Sequence, residues 1–256
     1  QEKSHKLKIL DININYINPF KVSKIEASKF IKKSLDLAHK LALSKNIKGI
    51  INCAIDKRLL DLKNKGVTEY LAAKCNITKD SEVMLIKNDE LAVAPISTHV
   101  NVKNITNFIS KKIIKNKILT IHRWYLKKFK KKPMIGILGL NPHNAEFHKN
   151  SEELKIIIPA ILDLKKKGVF IKGPFSSDTI FMYEYKNYDV IVGMYHDQVL
   201  APFKTLFKFD AINITLGLKY LRVSPDHGVA INLIGKNKAD QTSLLKCINF
   251  VQKFGR

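Results

Sequence analysis

The stretch Val190–Gln198 reads VIVGMYHDQ. Its short apolar run, Val190–Met194, is followed almost at once by His196. Such a run is typical of a buried strand in a parallel sheet. Two more histidines, His99 and His143, follow similar runs. Ligands of open α/β sheets bind in the crevice outside the carboxyl ends of the strands. The three histidines are therefore candidates to meet at one edge of a sheet.

Strand-like and helix-like segments alternate along the rest of the chain. Ser23 and Glu26 form a capping box at the start of a helix whose apolar residues recur at helical spacing up to Leu41. Further strands are predicted at Leu7–Ile14, Gly49–Ile55, Glu82–Ile86, Leu91–Ile96, Met134–Leu138, Val169–Ile171 and Ala211–Thr215. Further helices are predicted at Thr68–Cys75, Val102–Asn116, Leu119–Lys130, Ser151–Lys166, Asp178–Tyr185 and Thr242–Lys253. This alternation predicts an α/β fold with a largely parallel sheet.

The composition limits the classes of function. The 256 residues carry a net charge of +23, which points first to a nucleic-acid partner. Only four of the basic residues are arginines, although Arg is the usual reader of bases and phosphates, and the lysines are spread along the chain. A solvated, lysine-rich surface that attracts phosphorylated small molecules is the favoured interpretation.

The sequence contains neither a run long enough to cross a bilayer nor a visible signal peptide, so no membrane partner is expected. Its three cysteines, Cys53, Cys75 and Cys247, are far apart and include no CxxC pair. Such sparse cysteines favour a reducing compartment, and we expect a cytoplasmic protein.

Three imidazoles at the strand ends would suit a divalent-metal site with open positions for a substrate. Their spacing is too long for a zinc finger, so only the fold could bring them together. The alternative is that each histidine is structural or merely exposed. His227 lies in the turn-rich segment Ser224–Gly228, where it is either a neighbour of the active site or a turn residue.

Several motifs occur together in a fixed order. They are GLNPH at Gly139–His143, MYHDQ at Met194–Gln198, NITLGL at Asn213–Leu218 and SPDHG at Ser224–Gly228, with weaker matches at Ser97–His99, Gly173–Pro174, Asp178–Thr179 and Gly66–Glu69. Over nearly the whole chain, this set resembles the 4-hydroxythreonine-4-phosphate dehydrogenases of pyridoxine biosynthesis.

The resemblance implies an α/β/α fold like that of isocitrate and isopropylmalate dehydrogenases, with two lobes flanking a cleft. We place lobe A at residues 1–58 with 192–256 and lobe B at residues 59–191. The resemblance also implies a homodimer that shares its active site at the subunit interface.

The same resemblance implies the residues of the site. A divalent metal (Zn, Mg, Mn or Co) would be held by His99, His143 and His196, one of them from the partner subunit. The substrate would contact Thr68, Lys204, Asn213 and Arg222, and the candidates for proton transfer or for orienting neighbouring groups are Asp178, Asp197 and His227. The cofactor would be NAD, whose contacts stay unassigned because the sequence has no GxGxxG fingerprint.

The implied reaction is oxidation of 4-phosphooxy-L-threonine to 2-amino-3-oxo-4-phosphooxybutanoate, which decarboxylates to 3-amino-2-oxopropyl phosphate, in pyridoxal phosphate biosynthesis. The metal would lower the pKa of the substrate hydroxyl, and a hydride would pass to NAD. Lys204 and Arg222 would supply positive charge for the phosphate and the carboxylate.

The chain departs from the family pattern at several positions. Val67 stands where the family usually has His, Val229 replaces Thr, and Asn144–His148 replaces Ala-Gly-Glu-Gly-Gly. The family's N-terminal Gly-Asp-Pro-x-Gly-Ile-Gly segment has no counterpart, so we expect either a truncated sequence or an incomplete first lobe with an exposed sheet edge.

Two alternatives follow from these departures. Val67 leaves room for another phosphorylated hydroxy acid, such as 4-phosphothreonate or 4-phosphoerythronate. The charge leaves room for a polyanion-binding protein on a degenerate enzyme scaffold, whose binding would fall steeply with salt and need neither metal nor NAD.

Overall fold

The structure is a computed structural model that describes residues 8–60, 66–77 and 81–255. Its described strands are β1 Ile50–Ile51, β2 Val83–Lys87, β3 Ala92–Ser97, β4 Ile135–Leu138, β5 Ile171–Phe175, β6 Val190–Tyr195, β7 Ile212–Leu216 and β8 Arg222–Pro225. Its described α-helices are α1 Lys24–Leu43, α2 Val67–Lys74, α3 Ile105–Phe108, α4 Lys111–Phe129, α5 Ile158–Lys166, α6 His196–Phe207 and α7 Thr242–Phe254. The α/β class predicted from the alternation of elements is confirmed.

The eight strands form one mixed sheet in the order β1-β8-β7-β2-β3-β6-β4-β5. Strands β3, β6, β4 and β5 are parallel neighbours, and β1 pairs with β8 in parallel. The pairs β2–β3, β2–β7 and β7–β8 are antiparallel. The prediction of a largely parallel sheet is therefore wrong for the half around β2 and β7.

A tight turn explains the reversal at β2. The side-chain Oδ1 of Asn88 accepts hydrogen bonds from the backbone N–H groups of Glu90 and Leu91, at 3.0 and 2.8 Å. A connection this short joins antiparallel strands, whereas a parallel pair needs a long crossover. Both strands were predicted from the sequence, but their antiparallel connection was not.

Most predicted strands lie within a few residues of the observed ones, with two exceptions. Gly49–Ile55 forms a ladder only at Ile50–Ile51. Residues 8–14 of the predicted strand Leu7–Ile14 form no strand, and Leu7 lies outside the described residues. Ile9 and Leu10 are mostly exposed, and no strand in the described part of the chain pairs with this segment. Strand β8 and helix α6 were not predicted.

The helix predictions were right in type more often than in their limits. The Ser23 hydroxyl accepts from the N–H of Glu26 and caps α1 as expected. Ser110 caps α4 through the N–H of Ile113, so the chain breaks there and α4 is one continuous helix to Phe129. In the predicted helix Asp178–Tyr185, residues 178–183 form turns and the last two residues begin a short 3₁₀ helix at Glu184–Asn187.

The core covers both faces of the sheet and fixes the carboxyl edge of its parallel part. Helices α4, α5 and α7 pack on one face, and α6 packs on the other through fully buried Phe203. Gln198 in α6 accepts from the N–H of Met194 and donates to the carbonyl of Gly139, both at 2.7 Å. These bonds tie the end of β6 to the end of β4.

Strands β3, β6 and β4 end at the same edge of the sheet, because they are parallel neighbours. His99, His196 and His143 follow these three strands. The placement of the histidines at strand ends, which the sequence predicted, is therefore observed. Within the described ranges, no helix is both long and apolar enough to span a bilayer.

Candidate active site

A cleft of about 640 Å³ opens beside the carboxyl ends of β3 and β6. Its walls come from the segment after β1, from α2 and α6, and from β2, β7 and β8. The predicted site residues that line it are Thr68, His99, His196, Lys204, Asn213, Arg222 and His227. In the part of the chain that the structure describes, His143, Asp178 and Asp197 are not among its lining residues.

His99 and His196 form a pair at the wall of the cleft. Their ring centroids are 6.4 Å apart and their planes are tilted by 31°. The Nδ1 atom of His99 lies 3.2 Å from Oε1 of Glu69, and Nδ1 of His196 lies 2.7 Å from Oδ1 of Asp197. A neutral imidazole that donates through Nδ1 carries its lone pair on Nε2. The carboxylates therefore favour the tautomer that suits both rings to bind a cation through Nε2.

Glu69 is a site residue that the sequence reasoning missed, although it ends the Gly66–Glu69 motif. Its Oε2 accepts from the N–H of Gly66 at 2.8 Å, which caps α2. Burial raises the pKa of the Glu69 carboxyl, but the hydrogen bond from His99 and the backbone N–H donors outweigh burial and lower it to about 2. This carboxylate is ionised at neutral pH and holds the imidazole of His99 in place.

Arg222 brings a buried positive charge to the floor of the cleft, since its side chain is almost fully enclosed. Its Nε donates to Oδ1 of Asn52 at 2.7 Å, and its Nη1 donates to Oγ1 of Thr215 at 2.8 Å. Desolvation lowers the pKa of the guanidinium to about 10, so the group is still protonated at neutral pH. Asn52 and Thr215 were not predicted as site residues.

Thr68 lies at the same floor. Its Oγ1 is 3.3 Å from Oγ1 of Thr215 and 3.5 Å from Nη1 of Arg222. The hydroxyl of Thr68 therefore belongs to the hydrogen-bond network that orients the guanidinium.

Lys204 and Asp226 form an ion pair across the mouth of the cleft. The Nζ of Lys204 donates to Oδ2 of Asp226 at 2.9 Å and to its carbonyl at 3.2 Å. Ser243 accepts from the N–H of Asp226 and fixes its backbone. Burial raises the pKa of the Asp226 carboxyl, whereas the Lys204 ammonium opposes that shift. The motif Ser224–Gly228 contained this aspartate, but the sequence reasoning assigned it no role.

The side-chain oxygen of Asn213 is a buried acceptor without a partner in the described part of the chain. The residue lies on β7 and lines the cleft. Buried polar atoms in native proteins are nearly always paired, so a ligand donor is a natural partner for this oxygen.

His143 and Asp178 lie away from this cleft. Both are exposed and occupy the loops that follow β4 and β5. Among the described residues, no cluster of three His, Cys, Asp or Glu side chains could hold a metal ion. The structure thus brings together two of the three predicted metal ligands, and the full set stays a prediction.

Comparison with known proteins supports the resemblance seen in the motifs. The family model described as "Pyridoxal phosphate biosynthetic protein PdxA" matches residues 1–251. A 4-hydroxythreonine-4-phosphate dehydrogenase from Aquifex aeolicus (strain VF5) is 35% identical, over 98% of this chain and 79% of the relative.

Solved structures are similar as well. The 4-hydroxythreonine-4-phosphate dehydrogenase of Klebsiella pneumoniae superposes with a TM-score of 0.79 at 30% identity, over 92% of this chain and 73% of that chain. An isocitrate dehydrogenase from Methylococcus capsulatus, at 11% identity, superposes with a TM-score of 0.51 over 78% of this chain and 66% of that chain. The predicted isocitrate-dehydrogenase-like fold is confirmed.

We expect the buried guanidinium of Arg222 to strengthen the binding of anions in the cleft. Arg222→Lys should weaken the binding of inorganic phosphate by about tenfold, because an ammonium cannot reproduce the planar fork that Asn52 and Thr215 orient. Isothermal titration calorimetry measures the change. Arg58→Lys is the matched control, since Arg58 lines the same cleft but is exposed and, within the described part of the chain, is paired only with Asp56. Equal losses in the two variants would contradict the assignment.

Proposed function

Because the chain belongs to the PdxA family of pyridoxal phosphate biosynthetic proteins, we propose that it oxidises 4-phosphooxy-L-threonine to 2-amino-3-oxo-4-phosphooxybutanoate with NAD. The product is a β-keto acid and loses CO2 to give 3-amino-2-oxopropyl phosphate. One observation carries this proposal. A single cleft contains a buried guanidinium, a paired ammonium and two imidazoles held by carboxylates.

The charges of the cleft match the two anionic groups of this substrate. Arg222 is rigidly held and suits bidentate contact with a phosphate or a carboxylate, whereas Lys204 acts as a point charge. Asn213 and Thr68 add an acceptor and a hydroxyl at the same floor. We assign substrate binding to these four residues.

A divalent cation fits the histidine pair by the chemistry of its donors. Metal-binding histidines typically donate their second ring N–H to a carboxylate, which is the arrangement that Glu69 and Asp197 give to His99 and His196. Imidazole ligands favour Zn or Co over Mg. We therefore assign these two residues as metal ligands.

We assign the third ligand to His143 of a second copy of the chain. In its own chain, His143 is exposed on a turn outside the cleft, although it follows a strand at the same sheet edge. Asp178, which follows the adjacent strand β5, is exposed in the same way. Symmetric dimers exchange identical surfaces, so a partner that receives one such group also donates one. The active site would therefore be shared between two subunits.

When bound, the cation and NAD would supply polarisation of the secondary alcohol and an acceptor for the hydride. The residues of the chain bind and orient. Arg222 and Lys204 fix the ends of the substrate, and Asp197 keeps the Nδ1 proton on His196. The candidates to take up the proton of the substrate hydroxyl are His227, which is exposed at the rim of the cleft, and Asp178 of the second subunit.

One observation favours a second candidate substrate. Val67 begins α2 and lines the cleft, where it presents methyl groups instead of a hydrogen-bonding ring. A related phosphorylated hydroxy acid, 4-phosphothreonate or 4-phosphoerythronate, would suit a site with one polar contact fewer. The reaction type and the remaining residues would be the same.

The organisation of the protein completes the proposal. We retain lobe A at residues 1–58 with 192–256, and lobe B at residues 59–191. The three cysteines are unpaired, which accords with a reducing compartment, and we propose a cytoplasmic homodimer.

The ligand assignment predicts the effect of losing an imidazole. His99→Ala, His143→Ala and His196→Ala should each lower NADH formation from 4-phosphooxy-L-threonine by at least about a hundredfold, because each loses a metal ligand. Chelation should abolish the activity of the unaltered protein. His148→Ala is the control, since this exposed histidine lies in the same loop region as His143. Circular dichroism checks folding, and normal turnover in any two of the three variants would refute the metal site.

Sharing of the site predicts complementation between subunits. His143→Ala and His196→Ala dimers should each be inactive, but mixing the two under subunit exchange should restore about a quarter of the unaltered activity. The reason is that each mixed dimer has one site with intact ligands and one site lacking both. No recovery in verified mixed dimers would show that His143 serves its own chain.

The substrate assignment predicts the effect of placing an imidazole at position 67, where the family usually has His. If 4-phosphooxy-L-threonine is the substrate, Val67→His should leave kcat/KM equal or higher, because the imidazole adds a polar contact. Steady-state rates with 4-phosphooxy-L-threonine, 4-phosphothreonate and 4-phosphoerythronate measure the preference. A drop of about tenfold or more with the first substrate alone, near 1.4 kcal/mol, would favour the alternatives.

A further inference from the structure

The turn that carries His143 has an unusual backbone. Five successive residues, His143–Phe147, have φ between 47° and 57°, and none of them is glycine. The left-handed conformation costs an L-residue with a side chain roughly 1–2 kcal/mol. Such a run persists only where surrounding contacts impose it.

Glu153 supplies the strongest of these contacts. Its side chain is fully buried, and its Oε1 accepts from the backbone N–H groups of Leu140 and Asn141 at 2.8 and 2.9 Å. Its Oε2 accepts from Nδ2 of Asn141 at 3.1 Å. Burial raises the pKa of this carboxyl, but the donors of Asn141 and Leu140 outweigh burial and lower it. An ionised carboxylate thus fixes the segment directly before the turn.

Two further contacts close the turn from its other side. Nδ2 of Asn144 donates to the carbonyl of Pro174 at 3.3 Å. Gly139 has no Cβ at the point where the Asn144 amide packs, and a methyl group there would collide with Oδ1. The turn is therefore held between the carboxylate of Glu153 and the backbone of β5.

We propose that Glu153 is a positioning residue that holds this left-handed turn, so that His143 is presented to the site of the second subunit. The proposal rests on the assignment of His143 as a shared metal ligand. Without the carboxylate, two partly buried N–H groups lose a charged acceptor, which favours relaxation of the turn. The imidazole would then move although no metal ligand had been changed.

The test uses the full-length dimer, stripped of metal by chelation and titrated with Co²⁺. Glu153→Gln should weaken Co²⁺ binding by about tenfold, as is typical for residues that orient metal ligands. Its kcat at saturating metal should stay within about threefold, because all the ligands remain. Calorimetry and the visible spectrum of bound Co²⁺ measure binding independently of turnover.

A glycine substitution in the turn should reverse the loss of Co²⁺ affinity caused by Glu153→Gln. Ala145→Gly in the Glu153→Gln background should restore most of the lost affinity, since glycine adopts positive φ without a steric penalty. The same substitution in the unaltered chain should change the affinity by less than about twofold. A purely structural role of Glu153 would lower Tm without giving this rescue of metal binding.

Glu152→Gln is the matched control. Glu152 precedes Glu153 and, among the described residues, accepts only from the side chain of Asn141, at 2.8 Å, so its loss should leave Co²⁺ affinity within about twofold. If Glu153→Gln does not fold, Glu153→Asp keeps the charge with a shorter reach and should show a smaller loss of the same kind.

His143→Ala, measured in parallel, separates the two proposals. If His143→Ala weakens Co²⁺ binding but Glu153→Gln and Glu153→Asp do not, the positioning role is wrong and the ligand set stands. If His143→Ala leaves Co²⁺ binding unchanged, the shared ligand is wrong and this inference falls with it.

Discussion

The parallel pairing of β6 with β3 on one side and β4 on the other is the constraint on which the site depends. Parallel strands end at one edge, so residues distant in sequence meet there. Gln198 reinforces the arrangement, because its amide links the end of β6 to the end of β4. The same edge thus presents His99 and His196 to one cleft and directs the loop of His143 outward.

The proposed binding of anions in the cleft rests on buried positive charge. Arg222 is enclosed, but Asn52 and Thr215 accept from its guanidinium and keep the desolvated cation in one orientation. Such a group binds an oxyanion more strongly than a solvated lysine does, because it has already lost its water. The net charge of +23 adds only a diffuse attraction. We therefore expect the affinity of the cleft for anions to depend mainly on Arg222 and little on the many exposed lysines.

The sequence was sufficient for the local elements and for the strand-end histidines, because apolar runs and caps such as Ser23 act over a few residues. It was insufficient where the outcome depends on distant partners. The antiparallel β2, the unpaired segment at residues 8–14 and the role of Glu69 all follow from which strands and side chains become neighbours. In the proposed site, His143 would act in a second chain, and no local sequence pattern carries that information.

In the proposed active site, one cation is bound by imidazoles of two subunits. Anomalous diffraction from crystals of the Co²⁺-loaded dimer is the sharpest test of this arrangement, because the signal locates the ion without assumptions about the ligands. We expect one ion per cleft, bound by His99 and His196 of one chain and by His143 of the other. An ion bound by all three histidines of a single chain, or located away from His99 and His196, would contradict it.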